Sequence, residues 1–417
     1  NLLPNLLRAL LGLPFTVQAL KTQVILHFSL ASLFSYLLVR HLALRAGARP
    51  AASRFAGAVT ALSFTYGGDL TTFPVQQLTI LQTAIWLPLV LFFLDRALCR
   101  GLRLGQLVLA ALGLAWALLA GHPQTAMYLV YSSLAYALFI VWSERGANPT
   151  PGRTDQAKRS KSILRSTVPI LAAVGLGFAL AAIQLGPTLQ FILHSTRADL
   201  SYDAVASGFS PAEITHLLYP GYFGGSPQYV GILPPILAVA AIFVLRARRA
   251  VTFWMAFGIL AFIVALGGNT FLYSVTYLFA PGFGVVRNQE RIIYLFGFSV
   301  AVLAGYGALV LVQPLQRAVR KGFRRFTQGL VWLWVAFLAL TVLFYFGYLQ
   351  SLQQGVEINL FEGLMRHHIL LLMFLGGAAA LFVLRRIGRM RRAGLMALTL
   401  GLIWLNLFSI NWRFNLA

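Results

Sequence analysis

The chain has 417 residues, 59% of them hydrophobic and only 10% charged, with a mean hydropathy of +0.77. That balance excludes a water-soluble globule of this length, because helices apolar on every side need lipid or a very large core to cover them. The net charge of +23 does not point to nucleic acid, since the basic residues are scattered at the ends of apolar runs, where they anchor topology and attract anionic lipid.

In chain order, residues 1–21 come first, a leucine-rich stretch broken by Pro4 and Pro14 that reads as an outer interfacial helix segment. Residues 22–417 then read as a single transmembrane helical domain, an all-α polytopic bundle. Runs of about 17 to 25 apolar residues cross a bilayer core, and twelve stretches qualify: 22–40, 54–68, 75–94, 104–120, 123–142, 166–186, 229–245, 251–267, 292–312, 329–348, 367–384 and 394–411. The second is short, with an apolar part of about 13 residues or roughly 20 Å of helix, and is kept on the grounds of charge. The connection 143–165 reads as a polar cytoplasmic linker, and 187–228 as the longest outer loop. Within that loop Ser210-Pro211-Ala212-Glu213 has the form of a capping box, which predicts a short helix over about 211–219.

Charge orients these spans. Of the 33 Lys and Arg residues, 26 fall in six clusters, Arg40–Arg54, Arg96–Arg103, Arg145–Arg165, Arg246–Arg249, Arg317–Arg325 and Arg385–Arg392. Short loops rich in Lys and Arg stay on the cytoplasmic side, and one assignment of the twelve spans puts all six clusters there. The opposite face then holds seven of the ten acids and five of the seven histidines, among them His216. A site is expected on that outer face, because the inner loops offer little besides arginine.

Several outer residues stand out. His122 and Gln124 lie in the tight turn Gly121-His122-Pro123-Gln124-Thr125, whose geometry demands neither. Arg287 and Arg291 depart from the positive-inside pattern; if a helix starts at or before Arg287, their spacing of four puts both guanidiniums on one face with Glu290 beside them. Guanidinium is the planar donor best matched to phosphate. Asp69 follows the glycine pair Gly67-Gly68, read as flexible, and is the candidate general base or metal ligand, a solvated loop acid being the plainer reading. Asp199 and Asp203 flank Tyr202 in the long outer loop; His27 lies inside the first span, where a polar group is either functional or bonded between helices. His367 and His368 point about 100° apart on a helix and do not suit one metal. The lone Cys99 makes no internal disulfide. Walker A and HExxH motifs are absent from the sequence, which removes ATP-driven transport and zinc proteolysis.

The ordered set GHPQT at 121–125, YVGILPPILA at 229–238, LGGNTFLY at 266–273 and PGFGVVRNQER at 281–291 resembles the YfhO-like bacterial membrane proteins of the GT-C glycosyltransferase superfamily. The resemblance implies an enzyme of the bacterial cytoplasmic (inner) membrane, its site facing outside, that transfers a sugar from a polyprenyl-phosphate carrier to an envelope glycan or lipid acceptor. Arg287 and Arg291 would meet the lipid phosphate, with Glu290, His122, Gln124 and His216 lining the substrate site. Some members of the superfamily use a divalent metal ion. Their key acid usually lies in the first outer loop, and this chain, starting at Asn1 without methionine, is expected to begin beyond it, with both natural ends missing. Asp69 then stands in as the candidate base. The rival reading on the same scaffold is a non-catalytic subunit of a protein complex or a transporter of lipid-linked substrate, for which discontinuous helices would speak.

Overall fold

A computed structural model describes residues 8–12, 14, 16–72, 77–99, 102–145, 156–195, 200–220, 226–245, 248–354 and 358–411. All regular structure among them is helical. The long helices are α1 (Val17–Arg45), α2 (Pro50–Thr65), α3 (Leu78–Leu98, with a turn at 85–86), α4 (Leu104–Leu119), α5 (Pro123–Arg145), α6 (Gln156–Leu180), α7 (Ala182–Leu193), α8 (Leu233–Leu245), α9 (Arg249–Ala265), α10 (Ile293–Val312), α11 (Arg317–Gln354), α12 (Ile358–Ile387) and α13 (Arg392–Asn411). A helix thus lies at each of the twelve apolar stretches. Seven stretches among the described residues are long and apolar enough to cross a membrane by themselves, and an eighth if the pair α6 and α7, bent by 78°, is one span. This is an integral membrane protein.

Several boundaries differ from the sequence reading. The first helix begins at Val17, so it takes in the end of the segment read as interfacial, whose residues 1–7 lie outside the described ones. The linker 143–165 is helical up to Arg145 and again from Gln156. The loop 187–228 is entered by α7, which continues through Pro187 to Leu193. The capping box does not form: the Ser210 side chain caps nothing, and Pro211–Leu217 winds as a 3-10 helix in which the Glu213 N–H is satisfied by the Ser210 carbonyl oxygen at 3.0 Å. Asp199 lies outside the described residues; Asp203 is exposed on the single turn Tyr202–Val205.

The chain divides into two compact units, 1–38 with 74–209 and 263–292, and 39–73 with 210–262 and 293–417. In the first, α4 packs against α3 and α6, and α5 against α3. Trp86 stacks on Trp116 with ring centroids 5.8 Å apart. At the basic-cluster end of α3 and α5, buried Asp95 accepts a 2.9 Å hydrogen bond from the Tyr136 hydroxyl.

In the second unit α10 is the hub, with 89% of its apolar window buried. It packs against α2 and α8 along faces of small residues. A Cβ on Gly307 would run into the Leu237 carbonyl, so only glycine allows the backbones of α8 and α10 to come this close. The Thr60 hydroxyl donates to the Ala301 carbonyl oxygen at 3.0 Å across the α2–α10 seam. Buried Asn406 of α13 accepts from the Ile232 N–H at 2.7 Å and donates to the Tyr229 hydroxyl at 2.8 Å. Two bonds gather basic clusters at one end of this unit: Arg248 donates to the Ala46 carbonyl at 3.1 Å, and Arg385 to that of Gln313 at 2.7 Å.

Candidate functional site

In the first unit three connections meet at the helix ends remote from Arg96 and Arg145: the start of α3 at Gln77, the turn before α5 at His122 and Gln124, and the segment 281–291. The left-handed backbone at Asn288, φ 62°, organises the last of these. It interrupts the chain between Arg287 and a 3-10 helix over Gln289–Ile292, a conformation that asparagine tolerates better than most residues. Helix therefore does not start at or before Arg287, and the expected shared face for Arg287 and Arg291 is not formed. Arg287 is exposed, and only its carbonyl joins the site.

Gln289 turns inward and is fully buried. Its Nε2 donates to the carbonyl oxygens of Val286 at 2.9 Å and Val205 at 3.2 Å; its Oε1 accepts from the Tyr128 hydroxyl at 2.9 Å. Tyr128 in turn accepts from Gln124 Nε2 at 2.9 Å, and that same nitrogen donates to the carbonyls of Arg287 at 2.8 Å and Asn288 at 3.2 Å. Buried amides thus fix the segment that carries Arg291.

Arg291 is half-buried. Its Nη1 donates to Gln124 Oε1 at 3.2 Å and its Nη2 to Gln77 Oε1 at 3.3 Å, while His122 Nε2 lies 3.4 Å from Nη1. The contact at the other ring nitrogen assigns the tautomer. His122 occupies the N-cap position before Pro123, and its Nδ1 accepts the Thr125 N–H at 3.2 Å, with the Thr125 hydroxyl 2.7 Å away. The proton of the neutral ring therefore sits on Nε2. An N–H of the imidazole and an N–H of the guanidinium then face each other beside the N-terminus of α5, the positive end of that helix's dipole. Such a group repels a cation and receives an oxyanion. Glu290, half-buried, lies between Gln289 and Arg291 in the 3-10 turn.

Asp69 and His216 belong to the second unit. The glycines before Asp69 are tightly packed, contrary to the flexible pair read from sequence: Gly68 N–H donates to the Tyr229 carbonyl at 2.6 Å, and a Cβ on Gly68 would strike the Ser226 carbonyl oxygen. The Asp69 residue is only half-buried as a whole, but its Oδ2 is shut off from solvent and has no hydrogen-bond partner. Loss of hydration pushes its pKa up from the ordinary carboxylate value to about 8. A carboxyl balanced near that pH can accept and release a proton close to neutrality, as a general base must. His216 is buried in the 3-10 helix Pro211–Leu217. His368, also buried, donates through Nε2 to the Phe337 carbonyl at 3.0 Å and accepts at Nδ1 from the Tyr219 hydroxyl at 3.0 Å, so it pins α12 to α11. His27 bonds within its own helix, Nδ1 lying 2.6 Å from the Gln23 carbonyl.

Among the described residues no three His, Cys, Asp or Glu side chains gather to hold a divalent metal ion. Gln77, Tyr128 and Gln289 were not singled out from the sequence, where an amide or phenol next to an apolar run carries no signal of its own. No protein-family model matches the chain, and comparison with curated proteins and with solved structures finds no match.

Proposed function

We propose that the chain is a GT-C type glycosyltransferase, similar to the YfhO-like proteins, with twelve spans in the bacterial inner membrane. It moves a sugar from a polyprenyl-phosphate carrier to an envelope acceptor on the outer face. One observation carries this reading: Arg291 and the His122 Nε2–H stand together at the N-terminus of α5, at the helix ends opposite the basic clusters of the same unit. When the sugar leaves, negative charge grows on the carrier's phosphate oxygens. The guanidinium, the imidazole N–H and the helix terminus all oppose that charge, while Gln77 and Gln124 hold the guanidinium in its plane. Preorganised donors of this kind need no rearrangement as the charge develops.

Transfer of a radiolabelled sugar from a polyprenyl-phosphate donor, followed with purified protein in nanodiscs, tests the proposal. Arg291→Ala should lower the rate by roughly 100-fold or more, the usual cost of one oxyanion donor, with expression and helicity unchanged. Arg287→Ala, whose side chain stands outside the cluster, should cost far less. Full transfer by Arg291→Ala removes the phosphate role.

Transport of a lipid-linked substrate is the second reading, favoured by the 78° break between α6 and α7. Against it, α7 has no buried residue, and Ile183, Leu189 and Phe191 stand exposed along it, a surface suited to lipid. Carrier flipping in liposomes without any sugar transfer would favour this second reading.

A further inference from the structure

A cavity of about 700 Å³ lies between α11 and α12 in the second unit, and no residue of the cluster around Arg291 lines it. Its walls come from one face of each helix: Val342 and Tyr345 on α11, and Glu362, Met365, Arg366 and Ile369 on α12, the last four at the spacing that stacks side chains along a helix. The lower wall is apolar. Arg366 and Glu362 stand at the rim, their ion pair 3.6 Å long with both side chains about two-thirds exposed (66% and 62%), so little is lost when the guanidinium takes another anion.

Depth identifies the occupant. Arg385 begins the basic cluster that ends α12, and 19 residues separate it from Arg366. At 1.5 Å per residue that is about 28 Å, close to the ~30 Å of a hydrocarbon core. Arg366 is therefore level with the headgroups of the leaflet opposite the basic clusters, and Tyr345 and Tyr348 on α11 supply the aromatic residues that favour this boundary. The flank of α11 is itself a lipid surface, since only 6% of its apolar window is buried and Trp332, Leu343 and Phe346 project outward.

We propose that this groove is a specific site for an anionic glycerophospholipid. The phosphate sits on the Arg366 guanidinium, in the planar two-point contact that arginine makes with phosphate. One acyl chain runs along Val342, Met365 and Ile369. The site stands independently of sugar transfer and of Arg291.

Native mass spectrometry of the full chain in detergent, titrated with phosphatidylglycerol, tests it. The wild type should retain one phosphatidylglycerol more tightly than phosphatidylcholine. Arg366→Ala should weaken that retention about tenfold, as the loss of one charged hydrogen-bonding group implies, and Met365→Trp, which fills the groove without touching the charge, should weaken it as well. Arg291→Ala should leave it unchanged, and inorganic phosphate should not displace the lipid. Equal retention by wild type, Arg366→Ala and Met365→Trp overturns the site; displacement of phosphatidylglycerol by polyprenyl phosphate, or by free phosphate alone, overturns the assignment of a glycerophospholipid.

Discussion

Replacing Gln289 by leucine tests the network that holds Arg291 in place. The side chain is fully buried and its amide serves Val286, Val205 and Tyr128. Leucine is close in size but leaves groups behind. The Val205 carbonyl keeps the Tyr273 hydroxyl at 3.1 Å, and the Tyr128 oxygen keeps Gln124 as donor, so the principal losses are the Tyr128 O–H and the Val286 carbonyl. At about 1–3 kcal/mol for each buried group left unsatisfied, the cost is roughly 3 kcal/mol. Equilibrium unfolding in mixed micelles measures it. The companion Tyr128→Phe should cost about 1 kcal/mol, and the double variant should be more stable than the sum of the two by a similar amount, because the orphaned hydroxyl is gone. Strict additivity would refute the contact and with it the account of how the 286–291 segment is held.

Further outcomes follow from the same physics. Asp69 has a folded-state pKa raised to about 8, so the native state holds a proton that the unfolded chain releases; the contribution to stability is full below about pH 4 and declines as pH rises toward about 8. Asp69→Asn should flatten that decline in unfolding experiments between pH 5 and 9. Gly307→Ala should destabilise the second unit by several kcal/mol, measured by unfolding in detergent, since its new Cβ meets the Leu237 backbone, which cannot swing aside as a side chain would. Thr125→Val removes the hydroxyl beside His122 Nδ1 but keeps the N–H bond, so oxyanion affinity should drop only a few-fold, against the much larger loss in Arg291→Ala; isothermal titration with a polyprenyl-phosphate analogue separates the two.

The positions of the helices were readable in the apolar runs, because a helix that meets lipid or other helices on every side must be apolar throughout. Their lengths were less so: α11 spans 38 residues although its apolar part is 329–348, since the Arg- and Gln-rich flanks are good helix formers that continue it. His122, Gln124 and Arg291 were each singled out in the sequence as polar residues of the face away from the basic clusters, as were Arg287 and His216, but nothing in it said which of them meet. One left-handed residue, Asn288, separates Arg287 from Arg291, and no periodicity in the sequence announces such a break. The packing around Gly67 and Gly68 was hidden for a related reason, as a glycine pair looks the same whether it confers freedom or admits a neighbouring chain.

The burial of α10 bears on how the protein is made. A segment with hydropathy 2.2 enters a bilayer readily on its own, yet 89% of its window ends inside protein. Its two walls, α2 and α8, leave the ribosome earlier, so neither can complete its packing until α10 follows them into the membrane. Failure at that step would strand a helix whose glycine-lined seam has found no mate, a natural signal for membrane quality control.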